Sequence, residues 1–343
     1  MKIAVVGGGV AGSLLAWRLS GWQVDVFAGD PSTADASGAS GGLVRGFDIG
    51  SDSCRLAAES LAEVLDSPLL RDWTGYQESG AVYVLPEGVD PSDSLRTVEK
   101  FLPGSASAVT AGGLAEYGFR DLAPDTVGVV ERRAGWISPA RLRDQALAWS
   151  ADNGIDVRRE RVAEVVEGAV RLADGTERGY DVVVVAAGAW TAELVGDGSR
   201  TKQIQYGIHT ATLPGLGAFV DDRTGLYGRP HGAGTFLFGL GCDRWDVHPE
   251  RVEPDLELAD RVVDRVRERF GVEAELVRVV ASFDCYRDDP AGLELRPVGT
   301  STSLFTFTGG SGGAAKTVLT ASRVAARALA ELGAGGTGPG RPR

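Results

Sequence analysis

The stretch Gly7-Gly-Gly-Val-Ala-Gly12 constrains this chain more than any other feature, because of what stands on either side of it. Lys2 to Val6 reads as a short buried strand, Val10 to Leu19 as a helix with Leu14, Leu15 and Leu19 on its apolar side, and Val24 to Phe27 as the next strand. Strand, glycine turn, helix and strand within so short a span make a βαβ unit, whose parallel strands need the crossover helix. With 48 glycines in 343 residues, a match to GxGxxG is expected about once by chance, so the position of this one carries the inference. After a strand and at the start of a helix, Gly7 permits the tight turn, Gly9 lets a pyrophosphate approach the backbone, and Gly12 lets helix and strand pack. Val10 and Ala11 lie in the same helix N-terminus, where free amides and the helix dipole favour phosphate.

The acid that ordinarily holds the ribose of a dinucleotide belongs at the end of the second strand, and there this chain has Ala28. Asp30 stands two residues further on. It either reaches the ribose from there or is a solvated turn aspartate.

Lys and Arg total 35 against 47 Asp and Glu, a formal net charge of −12. That balance disfavours nucleic acid and anionic membrane as partners and leaves phosphates to backbone amides or single cations. The cysteines, Cys54, Cys242 and Cys285, are widely spaced without a CxxC pair, so neither a disulfide framework nor a thiolate metal site is implied, and no metal is expected. The start of the chain leaves no room for the apolar stretch of a signal peptide and no long apolar run follows, so a cytoplasmic location away from membranes is expected.

Further along, Ser37 to Gly46 is too rich in small residues for a helix and suits backbone passing close to a ligand. Cys54 to Leu65 reads as a helix, Tyr76 to Leu85 as strand, Leu95 to Leu102 and Leu114 to Phe119 as short helices, and Thr126 to Glu131 as strand. Ser138 caps a helix with Pro139 at its first position. Strands are expected near Ile155 to Val157 and Val170 to Leu172. The run Asp181-Val-Val-Val-Val-Ala-Ala-Gly188 has the character of a parallel strand buried on both faces. Strands at 203 to 212, 217 to 221, 226 to 229 and 235 to 239, a helix from Leu256 to Phe270 and a strand through Val277 to Phe283 follow. Leu304 to Phe307 and a helix from Gly313 to Leu332 close the chain, and the Gly- and Pro-rich 333–343 reads as a disordered tail. The expected fold is α/β: a discontinuous Rossmann-type domain (1–75, 134–200 and 290–332) interleaved with an α+β domain of antiparallel sheet and helices (76–133 and 201–289).

With the glycine turn, the 37–46 segment and the strand ending Val-Ala-Ala-Gly188-Ala-Trp190 in hand, the chain resembles the FAD-dependent D-amino-acid oxidase family, which includes glycine oxidase and monomeric sarcosine oxidase. Gly135-Trp-Ile-Ser-Pro139-Ala-Arg-Leu142 is similar to the family's G-x-[IL]-x-P-x-x-L, and Tyr227-Gly-Arg-Pro230 to its Y-G-F-P. Pro297-Val-Gly299 is similar to P-x-[IV]-G, and Gly309-Gly-Ser-Gly-Gly-Ala-Ala-Lys316 to G-F-S-G-H-G-F-K. Each match is loose alone; their shared order is specific. The resemblance implies FAD as cofactor, a small amino acid or amine as substrate, and removal of a hydride from its α-carbon to give an imine. It implies contacts to FAD from Ser40, Gly41, Gly42, Leu43, Val162, Ala187, Gly188, Trp190, Gly310, Gly312, Gly313, Ala314 and Lys316.

For catalysis, the resemblance aligns Lys316 with a lysine that fixes the substrate carboxylate. A carboxylate held by a desolvated cation is strongly oriented, and orientation is much of the rate. Arg287 lies near a carboxylate-binding arginine, although the Asp288 and Asp289 beside it offer simpler partners. Arg45 resembles an arginine placed to balance negative charge on reduced flavin. Tyr227 matches an active-site tyrosine, with a sheet-packing tyrosine as the alternative, and His231 is either a polar wall or a structural histidine. Cys285 stands one residue out of register with the family's flavin-attaching C-x-Y, which would turn its thiol to the other side of a strand, so non-covalent FAD is expected. The family's oxygen-activating lysine falls on Leu237 or Phe238, which points to slow reaction with dioxygen. A dehydrogenase with another acceptor, a flavin monooxygenase and a non-catalytic FAD-binding protein stay open as alternatives.

Overall fold

The computed structural model describes residues 1–30, 35–287, 292–310 and 312–335. The glycine turn sits where the sequence puts it, between the strand Lys2–Val6 and the helix Val10–Arg18, with Gln23–Phe27 as the second strand. Lys2–Val6 occupies the middle of a six-stranded sheet in the order Glu294–Pro297, Leu304–Thr308, Val182–Val185, Lys2–Val6, Gln23–Phe27, Asp156–Arg158. All neighbours in it are parallel except Glu294–Pro297. The all-valine strand Val182–Val185 is completely buried, as a strand covered on both faces must be.

Side-chain alternation explains the two covers. Ile3, Val5, Val182 and Val184 point to one face and pack with Leu14, Leu15, Leu142, Val318 and Leu329 from the helices Val10–Arg18, Pro139–Asp152 and Ala314–Gly335. Ala4, Val6, Val183 and Val185 point to the other and pack with Val162, Val165, Val170 and Leu172. These last come from a three-stranded meander, Val162–Val166, Ala169–Leu172 and Glu177–Gly179.

A second sheet of eight strands runs Glu275–Tyr286, Arg200–Thr210, Thr235–Gly239, Leu226–Gly232, Ala218–Asp221, Ala81–Val84, Val127–Glu131, Ala106–Thr110. Only the pair Ala218–Asp221 and Ala81–Val84 is parallel. One face of this sheet is covered by the helix Leu256–Phe270, whose Val262, Val266 and Phe270 pack with Phe219, Phe236 and Phe238. Arg269 on that helix pairs with the fully buried Asp221 at 2.8 Å.

Three expectations need correction. Ala36–Ala39 forms one helical turn, because the Asp35 side chain accepts the Gly38 amide and starts it despite the small residues. The short helix expected at Leu114 to Phe119 lies earlier, at Ala111–Ala115, since Gly118 has φ 88° and ends it. The C-terminal helix continues through Gly335, so 333–335 do not belong to a tail; 336–343 lie outside the described residues. No helix of the described residues is long and apolar enough to cross a membrane.

Candidate functional site

Gly7 takes φ 119°, and a Cβ there would stand 2.3 Å from the Ala186 carbonyl oxygen of the neighbouring strand. At Gly12 a Cβ would stand 2.0 Å from the Gly7 oxygen. The turn is thus pressed against both the sheet and itself. The Val10 amide is taken by the Ser37 hydroxyl at 3.0 Å. The amides of Gly9, Ala11 and Gly12 have no acceptor among the described residues. This is a cradle that a pyrophosphate fits: small residues, unaccepted N–H groups and the positive end of a helix. Ala28 lies against Gly8, where a Cβ would come within 2.6 Å of its own. Asp30 is exposed, beyond the end of the strand.

The segment after Ser37 runs from this cradle to the eight-stranded sheet. Ser40 accepts the Gly42 amide at 3.1 Å, and Leu43–Val44 pairs with Gly135–Trp136. Arg229 ties the two regions, donating to the Gly41 carbonyl at 2.6 Å and to the Pro230 carbonyl at 2.7 Å. Its face of the strand also carries Tyr227, while His231 falls at a bulge between Pro230 and Gly232, close enough to feel the Arg229 charge. Strand register puts Leu237 opposite Arg229 and Ile208, while Phe238 turns to the helix-covered face. Leu237 is therefore the residue of the aligned pair that faces the segment, and a Cβ on Gly41 would lie 3.7 Å from its Cδ1.

On the far edge, Tyr286 meets the other glycine-rich turn: a Cβ on Gly312 would be 2.7 Å from its hydroxyl. The Arg287 amide donates to the Gly310 carbonyl at 3.3 Å, and Gly313 accepts the Lys316 amide at 3.2 Å in the first turn of the helix that begins at Ala314. Gly188 takes φ 55°. It opens the short turn Gly188–Trp190, just after Ala187, where Trp190 stacks edge-on with Phe283 at 5.1 Å. Val162 lies buried at the start of the meander. Ser311, Asp288 and Asp289 lie outside the described residues.

Of the cations named from the sequence, Lys316 and Arg287 are held in ion pairs, while Arg45 makes none among the described residues and its Nε has no hydrogen-bond partner. Lys316 Nζ pairs with the Asp48 carboxylate, and both side chains are largely buried, at 13% and 15% exposure. Burial and the neighbouring Arg45 push the Lys316 ammonium down to about 8, with Asp48 working the other way. Burial opposes ionisation of Asp48, yet Lys316 and Arg45 hold its carboxyl below the ordinary value. Arg45 lies over the Tyr83 ring at 4.7 Å. The Tyr83 hydroxyl donates to Asp222. Beneath them the buried Glu131 accepts the Gly46 amide at 2.7 Å and the Phe47 amide at 2.9 Å, while burial raises its pKa. Arg287 donates to the backbone and carboxylate of Asp197 at 2.8 and 3.0 Å.

Tyr227 packs flat on Gly239, where a Cβ would fall 2.3 Å from the ring, and its hydroxyl donates to the Gln205 carbonyl at 3.1 Å. His231 is exposed at the strand end; burial of its ring and the charges of Arg229 and Arg278 lower its pKa. Cys285 is buried beside Ser199 and Thr308, on the face of the strand opposite Tyr286.

Residues that motif reading passed over complete the site. Asp48, Glu131 and Asp222 are acids whose partners lie far along the chain. Only Glu131 left a trace, as a lone acid ending an apolar strand. Asp284 lies two residues before Tyr286 on the same face, accepting the Cys285 amide at 2.8 Å, and burial pushes its carboxyl up to about 7.

The family described as FAD dependent oxidoreductase matches residues 2–332. Among solved structures, L-proline dehydrogenase from P. horikoshii superposes with TM-score 0.81 at 15% identity, covering 96% of this chain and 93% of that one. Glycine oxidase from Bacillus cereus ATCC 14579 gives 0.74 at 18% identity, with 96% and 95% covered. NikD, an unusual amino acid oxidase essential for nikkomycin biosynthesis, gives 0.75 at 20%, with 99% and 95% covered. No curated protein sequence matches significantly.

Proposed function

Because the chain belongs to the FAD dependent oxidoreductase family, we propose that it oxidises a C–N bond of an amino acid or related amine to an imine. The observation that carries this reading is the joining of two surfaces. A phosphate-fitting cradle at Gly9, Ala11 and Gly12 continues into a segment that the Tyr227 and Arg229 face of the second sheet grips through the Gly41 carbonyl. The parts 1–75, 134–200 and 290–332 make the cofactor-binding unit, and 76–133 with 201–289 the substrate unit.

When bound, FAD supplies the two-electron acceptor: the α-carbon gives up a hydride, the nitrogen a proton, and a C=N bond forms. The chain's own groups do the rest. Gly7 and Gly12 keep the turn tight, and the free amides of Gly9, Ala11 and Gly12 hold pyrophosphate, with Val10 between them tied to Ser37. Asp30 answers for the ribose, with Val162 on the adenine side. Ser40 to Leu43, Ala187, Gly188, Trp190, Gly310, Gly312, Gly313 and Ala314 bring backbone to the ring. Arg45, fixed over Tyr83, offsets negative charge that develops during reduction. Tyr227 and His231 wall the substrate space, while Lys316 and Arg287, which align with carboxylate-binding cations of the family, are paired here with Asp48 and Asp197. The names of the structural neighbours, two amino acid oxidases and a proline dehydrogenase, support this substrate class.

The experiment is anaerobic mixing of FAD-loaded protein with a panel of amino acids and amines. Bleaching of the flavin with formation of the carbonyl product of imine hydrolysis is expected. Reduction by NAD(P)H instead would move the protein to the monooxygenases, and no reduction by any amine would leave a non-catalytic FAD-binding protein.

A further inference from the structure

Resting on that reading, we propose that Asp48 is a built-in occupant of Lys316. The substrate is then an amine whose carboxyl group is absent, or masked as an amide or ester, in preference to the free amino acid.

A substrate carboxylate reaches Lys316 only by displacing Asp48, which replaces one carboxylate by another and leaves Asp48 buried without its partner. Stranding one member of a buried ion pair is strongly unfavourable, so the intramolecular acid wins against an equivalent ligand group. Asp48 is also held in place, its other oxygen accepting the Ile49 amide at 2.9 Å. Three carboxyl groups, Asp48, Asp222 and Glu131, stand around Lys316 and Arg45, and of the two cations Lys316 is the one held in an ion pair among the described residues. The remaining candidates are spent elsewhere: Arg229 on two carbonyls, Arg287 on Asp197. Arg278, exposed near His231 and Tyr206, and Arg45, whose buried Nε has no hydrogen-bond partner, make no ion pair among the described residues and are the rival carboxylate receptors.

A neutral amide or ester asks nothing of Lys316. It leaves the Asp48–Lys316 pair intact and keeps the α-carbon and nitrogen that the reaction needs.

The test uses FAD-loaded protein and ligand pairs that differ only at the carboxyl: glycine and glycinamide, proline and prolinamide, N-methylglycine and its amide. Half-saturation is read from the anaerobic change in the flavin spectrum. The wild type is expected to favour the amide of each pair. Asp48→Asn, nearly isosteric, is expected to move the acid-to-amide ratio toward the acid by about tenfold or more, since Lys316 is then released to an external carboxylate. The shift between variants is free of the differing basicity of the two amines. In Asp48→Asn combined with Lys316→Met the shift is expected to vanish. A wild type that prefers the acid about tenfold, with the ratio unmoved by Asp48→Asn, would overturn the inference while leaving amine oxidation standing; loss of that preference in Arg45→Gln or in Arg278→Ala would identify the true receptor. If no member of any pair perturbs or reduces the flavin, the amine-oxidising reading falls and this inference with it.

Discussion

Asp284 gives the structure's most quantitative prediction. It lies opposite Lys202 in the strand register, but the Lys202 ammonium rests over the Trp245 and Tyr286 rings, at 4.6 and 5.2 Å, and the carboxylate has no cation in an ion pair among the described residues. Burial pushes its pKa from 3.8 to about 7, against the pull of the Cys285 amide. A raised acid pKa means that the folded chain holds the proton more tightly than the unfolded one. Below the unfolded value both states are protonated and nothing is lost; as pH rises toward the folded value the unfolded state ionises first and stability falls; above it the penalty is constant. At about 1.4 kcal/mol per pH unit, the gap from 3.8 to about 7 caps that penalty at about 4 kcal/mol, and partial exposure of the group lowers it to about 2–3 kcal/mol. Asp284→Asn keeps the acceptor for the Cys285 amide and removes the titration. The variant is therefore expected to be more stable than the wild type, by about 1 kcal/mol more at about pH 8 than at about pH 5, where part of the penalty is already present. Urea unfolding of both apoproteins at the two pH values measures this. An equal difference at both, or destabilisation at the higher pH, would refute the reasoning.

The other predictions concern the cradle, the second sheet and the cofactor. Gly12→Ala places a methyl 2.0 Å from the Gly7 oxygen and is expected to abolish FAD retention on purification, which the flavin-to-protein absorbance ratio would report. Asp221→Asn strands Arg269 in the buried pair and is expected to cost about 3–5 kcal/mol, read by denaturant unfolding. With Cys285 turned toward Ser199 and Thr308, acid precipitation is expected to leave the flavin in the supernatant. With Leu237 on the face toward Gly41, substrate-reduced protein is expected to reoxidise slowly in air and faster with an acceptor dye; rapid reoxidation with stoichiometric peroxide would refute this.

The glycine turn, the central valine strand and the helix capped by Ser138 were readable because each is fixed by local rules: turn geometry, burial on both faces, and a cap with Pro behind it. The meander at 162–179 was half-seen, since its short strands alternate weakly and gain their burial only against Val183 and Val185. The one-turn helix at Ala36–Ala39 escaped because its cap, Asp35, outweighs the poor propensity of Ser and Gly. At the site, motif alignment named Lys316, Arg45 and Arg287 but not what each one touches. Asp48, Asp222 and Asp197 carry no local signature; they acquire their meaning only when the fold brings them to a cation.

Oxidation at the C–N bond is tested most directly by rapid anaerobic mixing of FAD-loaded protein with an accepted amine bearing either hydrogen or deuterium on its α-carbon. Breaking of that bond with transfer of its electron pair to the cofactor predicts slower flavin bleaching with deuterium, and carbonyl product equal to the flavin reduced. Bleaching that is insensitive to α-deuteration and yields no carbonyl product would contradict it.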